Sequence, residues 1–397
     1  MITVDCSKAW NKYLVKWFGT FFSCKVVPPP PPPEPTGPEL VYEGPFFRCS
    51  IATDSNNQPH IVATGDNSCP TFTVADRIGG KWQSETWPAN IFDGAYQYGN
   101  PHVEIANDSA WYSGQMVEAG IGVICRQHIS GTPVSVANCP KLAVHPSPAP
   151  WETGNLSLDV DWTDQAIVFG MGGFWQILKN DSGTLKILGN GQLYIGQGGE
   201  KNSWIVSRAP AVAHVQSGSH RMWMGAMNGY RRAAPATDFD NSSFNSLVRQ
   251  EAHQEKQEWA SVDDYPEMSQ DECYCSVCAD SANPHIAYTA SDFDGIKVNI
   301  SNGTTLLFPP ADLRDIGGNA AVRYAPQMAP AKNGGAWILF NRNGAVVLHK
   351  IRQDGTVEAE RNIGGGQIGS LCTDTNGDSH VLYAGDGKLW YQKIKQQ

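Results

Sequence analysis

Long apolar runs are missing from this 397-residue chain: no stretch approaches the roughly 18 residues a membrane-crossing helix needs. Charge is thin, at 17% of residues, which speaks against an architecture of long, charged, solvent-facing helices. Positive charge is the scarcer sign. With 29 Lys and Arg against 39 Asp and Glu, the formal net charge is −10, and a nucleic-acid backbone is an unfavourable partner. What is plentiful is Gly, at 40 residues, as short strands joined by many turns require. The 13 Trp read mostly as core packing, with sugar stacking as the sharper alternative. The 10 Cys are an even count that fits an oxidising compartment and equally fits reduced, buried thiols.

Residues 1–37 read as a tether. "YLVKWFGTFFSC", Tyr13 to Cys24, is apolar, follows Lys8 and Lys12, and ends on Cys24 after the small Ser23. It loosely resembles a bacterial lipoprotein signal, although Lys16 interrupts it and Asp5 sits where such signals are basic. Pro28 to Pro33 follow without interruption, a stiff polyproline spacer of roughly 3 Å per residue. The expectation is a signal, an anchor or an assembly peptide within residues 1–24. The protein would then be extracellular or surface-anchored, as a lipoprotein or as part of a virion or filament.

Residues 38–397 repeat one unit. "CSIATDSNNQPHIVATGD" around His60, "CSVCADSANPHIAYTASD" around His285 and "GSLCTDTNGDSHVLYAGDG" around His380 align directly. Four weaker copies fall at Pro101–Gln115, Asn155–Gly172, Ala209–Gly229 and Ala320–Gly344. The spacing of about 45 to 65 residues suits four-stranded propeller blades. Each unit runs inner strand, turn, second strand, then a hairpin whose Gly-bearing turns include "IGGKW", "NDSGTL" and "QDGTVE". The seventh copy stops after "KLWYQKI" with three strands. "ELVYE", Glu39 to Glu43, is the strand expected to complete it and close the ring. The fold expected is therefore all-β, a seven-bladed β-propeller closed by an N-terminal strand. In blade four, Ser242 to Trp259 reads as a short inserted helix, with Phe244, Leu247, Val248 and Ala252 on one face.

The Cys273-x-Cys275-x-x-Cys278 stretch looks like a metal or redox motif, but the repeat assigns it to an inner strand. Cys278, Cys372 and Ala52 then occupy equivalent positions, as do Cys275, Cys49 and Gly369. Residues three apart on a strand face opposite sides, so Cys275 and Cys278 do not chelate one ion. Cys273, Cys275 and His253 are only three ligands where structural zinc takes four. No metal or cofactor is expected. Cys49 and Cys372 lie on neighbouring inner strands, and the sequence leaves a disulfide between them open. His60, His285 and His380 read as structural, capping turns with Asp54, Asp280 and Asp374. "DTNGDSH" reads as a turn rather than half a calcium loop, since the distal Glu is missing.

The repeats resemble the sialidase-like, BNR-type propeller superfamily across residues 38–397. That resemblance implies a ligand site over the face built by the loops entering the inner strands. Tyr230, Arg231, Arg208, Asn228 and His102 would lie there, with Trp111, Tyr112 and Trp175 as stacking platforms for sugar rings. Sialidases of this fold carry "SxDxGxTW" boxes and an arginine triad, and this chain shows neither. Propeller polysaccharide lyases, including ulvan lyases, are also similar in repeat style. In that type Tyr230 would take a proton while Arg231 and His102 neutralise a uronate carboxylate. The chain departs from them in lacking a second His in "YSGQMVEAG". The sequence-level expectation is glycan recognition, with a polysaccharide lyase and a structural assembly component as alternatives.

Overall fold

The computed structural model describes residues 2–5, 22–25, 37–44, 46–65, 72–87, 91, 101–107, 109–115, 121–127, 135–144, 156–161, 164–170, 174–192, 204–207, 211–217, 220–232, 242–251, 257–266, 275–280, 283–289, 296–299, 305–308, 326–332 and 334–396. The chain divides into two compact units, Met1–Gly37 and Pro38–Gln397. In the first, Ile2–Asp5 pairs in parallel with Phe22–Lys25.

In the second unit the described residues are almost entirely strand, apart from one short 3-10 turn at Val136–Asn138. The strands form antiparallel sheets that follow one another in chain order, mostly of four strands each. The first runs Phe46–Thr53, Pro59–Gly65, Phe72–Ile78, Lys81–Trp87. The last takes Gln367–Thr373, Ser379–Gly385 and Lys388–Ile394, and its fourth strand is Glu39–Glu43. Glu39 stands opposite Tyr391 and Glu43 opposite Lys388, so the expected closing strand is where the repeat placed it. Glu39 also accepts two hydrogen bonds from Arg77 in the first sheet, at 3.2 and 3.1 Å.

The second strand of the first sheet, Pro59–Gly65, is buried along its whole length, because both of its faces meet neighbours. Val62 packs with Val103 and Tyr112 of the second sheet. Ile61 and Ala63 pack with Leu382 and Tyr391 of the last. Inner strands are also stitched by a repeated side chain. The backbone N–H of Val103 donates to Ser50 Oγ at 3.2 Å, that of Val212 to Ser157 at 3.2 Å, and that of Met328 to Ser276 at 3.0 Å. Across the junction of last and first sheets, Ile51 N–H donates to Ser370 Oγ at 3.3 Å.

The inner-strand register bears out the first of the two aligned sets; in the second, Cys49 and Cys275 stand opposite Ala63 and Tyr288 while Gly369 falls in a bulge. Ala52, Cys278 and Cys372 stand opposite His60, His285 and His380 respectively. Cys49, Cys278 and Cys372 are free thiols, so the Cys49–Cys372 disulfide does not form. Burial pushes the Cys49 thiol up to about 12. Cys49 lies over Gly369, where an added Cβ would meet its Sγ at 2.8 Å. Among the described residues no cluster of three or more metal-ligating side chains occurs; Cys273 and His253 lie outside them.

The helix expected from Ser242 is replaced by two strands, Ser242–Glu251 and Gln257–Pro266. The physical reason is a long neighbouring edge. The strand His220–Arg232 has 13 residues, and Ser242–Glu251 pairs with it from Tyr230 to Met222. A ladder of that length supplies backbone hydrogen bonds that outweigh the modest helix preference of the segment.

Candidate functional site

The turns after the inner strands are built by one device. Asp54 Oδ1 accepts the N–H groups of Asn56 and Gln58 at 2.9 and 2.8 Å. Asp374 Oδ1 accepts those of Asn376 and Asp378 at 2.9 and 3.0 Å. Asn57 takes φ 62° and Gly377 φ 83° to complete the turns. Each Asp then receives the following His. His380 Nε2 lies 3.2 Å from Asp374 Oδ2, and its Nδ1 lies 2.9 Å from Tyr391 Oη. His60 Nδ1 lies 2.7 Å from Asp76, while its Nε2 stands 3.6 Å from Asp54 as an ion pair too long for a hydrogen bond. Lys393 Nζ sits 3.0 Å from Asp374 and 3.3 Å from Asp378. A lysine thus fills the place a calcium ion would take in "DTNGDSH". These histidines are structural, as the turn position implies.

The opposite end, where the inner strands begin, differs among the sheets. Second strands elsewhere have 6 or 7 residues, as in Gln165–Gly170 and Ser379–Gly385, against 13 in His220–Arg232. The surplus extends the fourth sheet by about 20 Å at a rise of about 3.3 Å per residue. Two segments flank the same edge of that strand. Ala211–Ser217 pairs with His220–Ala226, and Trp204–Ser207 pairs with Gly229–Arg232. The extension therefore lies at the inner-strand starts, and it carries Asn228, Tyr230 and Arg231. Tyr230 stands opposite Val206, and Arg231 opposite Ile205. Arg208 directly follows the paired Ser207 and lies outside the described residues. His102 opens the inner strand of the second sheet at the same end, opposite Ser113, and is half-buried.

The aromatic residues expected as stacking platforms are buried. Trp111 is 0% exposed and donates its Nε1–H to Asp164 at 2.7 Å. Tyr112 is 1% exposed and meets the Trp87 ring edge-on at 5.1 Å. Trp175 is buried as well. The Trp111 and Tyr112 rings pack between sheets, the Trp175 ring lies beside Gly189 of its own sheet, and none of the three is exposed to a sugar.

A pair of carboxylates escaped the sequence reading. Val103 and Val212 each take the serine bond of the preceding sheet, which sets Ser157 level with Ser50 and so Asp159 level with Glu104 and Ala52. Burial, with the Asp159 charge adding to it, pushes the Glu104 carboxyl well above the ordinary carboxylate range. The signal was in the repeat alignment: Glu and Asp stand where other copies carry Ala or Cys.

Comparison with known proteins adds the fold alone. No family model matches the chain, and no curated protein does. Among solved structures, a chain of the mitotic checkpoint complex is similar at TM-score 0.51 and 11% identity, over 94% of this chain and 100% of that one. The β-propeller domain of Cps50 (Swd1) from Myceliophteria thermophila is similar at TM-score 0.48 and 8% identity, over 90% and 100%. The SapL1 lectin in complex with alpha methyl fucoside is similar at TM-score 0.44 and 10% identity, over 80% and 96%. The consecutive four-stranded antiparallel sheets and their stitched inner strands are those of a β-propeller.

Proposed function

We propose that Pro38–Gln397 is a seven-bladed β-propeller that recognises glycans, held at a surface or in an assembly by residues 1–37. The blade count is supported by the order of the sheets and by the serine bond and closing strand that join the last to the first. The observation that carries the binding reading is the extended edge of the fourth sheet. It carries Asn228, Tyr230 and Arg231 past Ala226, where the pairing with the inner strand Ala211–Ser217 ends, and Arg208 is one residue past the flanking Trp204–Ser207 ladder. Guanidinium, phenol and amide groups suit hydroxyls and an acidic sugar substituent. The same residues support a second reading, a polysaccharide lyase with Tyr230 as base and Arg231 and His102 as neutralisers, because His102 starts its strand at the same end.

The test is a glycan array probed with the full chain, Tyr230→Phe and Arg231→Ala, each checked for unchanged melting. The expected result is binding to a defined glycan that weakens about tenfold or more in Arg231→Ala. Absence of binding by the parent chain to neutral and acidic glycans alike overturns the reading. In parallel, ulvan, pectin and alginate are followed for absorbance of a new C4–C5 double bond. A signal that disappears in Tyr230→Phe moves the assignment to the lyase.

A further inference from the structure

A cleft of about 590 Å³ opens at the other end of the sheets, against the turn Ala331–Gly335, the turn Arg352–Thr356 and Gln396. Its walls carry Lys332, Lys350, Arg352 and Glu358. One carboxylate holds most of this charge together. Glu358 Oε1 lies 3.5 Å from Lys350 Nζ and 3.2 Å from Arg352 Nε, and Oε2 lies 3.8 Å from Arg361 Nη2. Burial works against the Glu358 charge, but the Arg352 and Lys350 cations outweigh it and hold its pKa below the usual range. The other acid on the wall, Asp354, is turned into its own loop, where it accepts the Thr356 N–H at 2.8 Å.

Positive charge is left over. Lys332 is exposed at the lip, and its Nζ makes no ion pair among the described residues. The Arg352 side chain is 59% exposed, with only its Nε engaged by Glu358. Lys350 is fixed: its Nζ lies 5.5 Å from the centre of the buried Trp337 ring. In a chain of net charge −10, three cations outnumber the two carboxylates that line this one cavity. We propose that this cleft binds a tetrahedral oxyanion, phosphate or sulfate, either free or as the terminal ester of a larger molecule. Ammonium and guanidinium donors from the Ala331–Gly335 turn and from the strand end that carries Lys350 and Arg352 are the groups that recognise phosphate and sulfate oxygens.

The experiment is isothermal titration of the full chain with inorganic phosphate, inorganic sulfate, glucose 6-phosphate and acetate at one ionic strength. The expected result is saturable one-site binding of the tetrahedral anions, tighter than acetate, and about tenfold weaker in Lys332→Ala and in Arg352→Ala. Both side chains are exposed, so the variants keep the fold. Equal affinity for phosphate and its sugar ester assigns the free anion as ligand, and tighter binding of the ester assigns the ester. No saturable binding, no preference over acetate, or unchanged affinity in both variants overturns the proposal. Tyr230→Phe leaves this binding intact, so the outcome is independent of the glycan reading.

Discussion

His60 and His380 occupy one position in two copies of the repeat, yet their charges respond to pH in opposite ways. Across the sheet His60 faces Asp76, whereas His380 faces Lys393. Burial disfavours the charged ring at both. At His60 the Asp54 and Asp76 carboxylates overcome it and raise the pKa; at His380 Lys393 already neutralises Asp374, and the pKa is lowered. The His60 contribution to stability is therefore complete below the unfolded value of about 6.5 and fades as pH rises through the higher folded value. His380 acts the other way, weakening the fold as pH falls below about 6.5. Melting curves of His60→Gln and His380→Gln across about pH 5 to 8 test this. Relative to the parent, the deficit of His60→Gln deepens in acid while that of His380→Gln shrinks. Parallel trends in the two variants contradict the assignment.

At the scale of the element, the strand Glu39–Glu43 matters out of proportion to its 5 residues. It completes the last sheet, buries Val41 against Leu389, and reaches the first sheet through the Glu39–Arg77 pair. Without it, Lys388–Ile394 is an open edge available to another chain. Deleting residues 1–37 is expected to leave the melting temperature within a degree or two of the parent, because the second unit keeps its strands. Deleting residues 1–44 is expected to lower it by several degrees and to give self-association in sedimentation velocity. Equal melting temperatures for the two truncations remove the closing role. The fourth sheet makes the converse point. Ser242–Glu251 has Ser at its start and strong helix formers behind it, and becomes a strand because a long partner edge lies beside it.

At the scale of the whole molecule, neighbouring sheets are held by cores and by the serine bonds at their inner edges. Ser157→Ala and Ser276→Ala each remove one such bond at separate junctions. Each is expected to cost about 1 kcal/mol in urea unfolding. Since they share no partner, the double variant should sum to within about 0.5 kcal/mol. A double variant no worse than either single one contradicts independent stitching.

The repeat itself was legible. Period-two patterning, the Asp turns and the small inner-strand residues follow from local chemistry, since each sheet solves the same packing problem with similar side chains, and the closing "ELVYE" follows from the strand that the last copy lacks. Local patterning could not tell a stacked Trp from a displayed one: Trp111 and Tyr112 look like sugar platforms until the neighbouring sheets cover them. Nor could it turn Ser242–Glu251 from helix to strand, place Lys393 between Asp374 and Asp378, or gather Lys332, Lys350 and Arg352 around one cleft. Those outcomes depend on contacts between residues far apart in the chain, and only the closed arrangement of sheets decides which distant side chains meet.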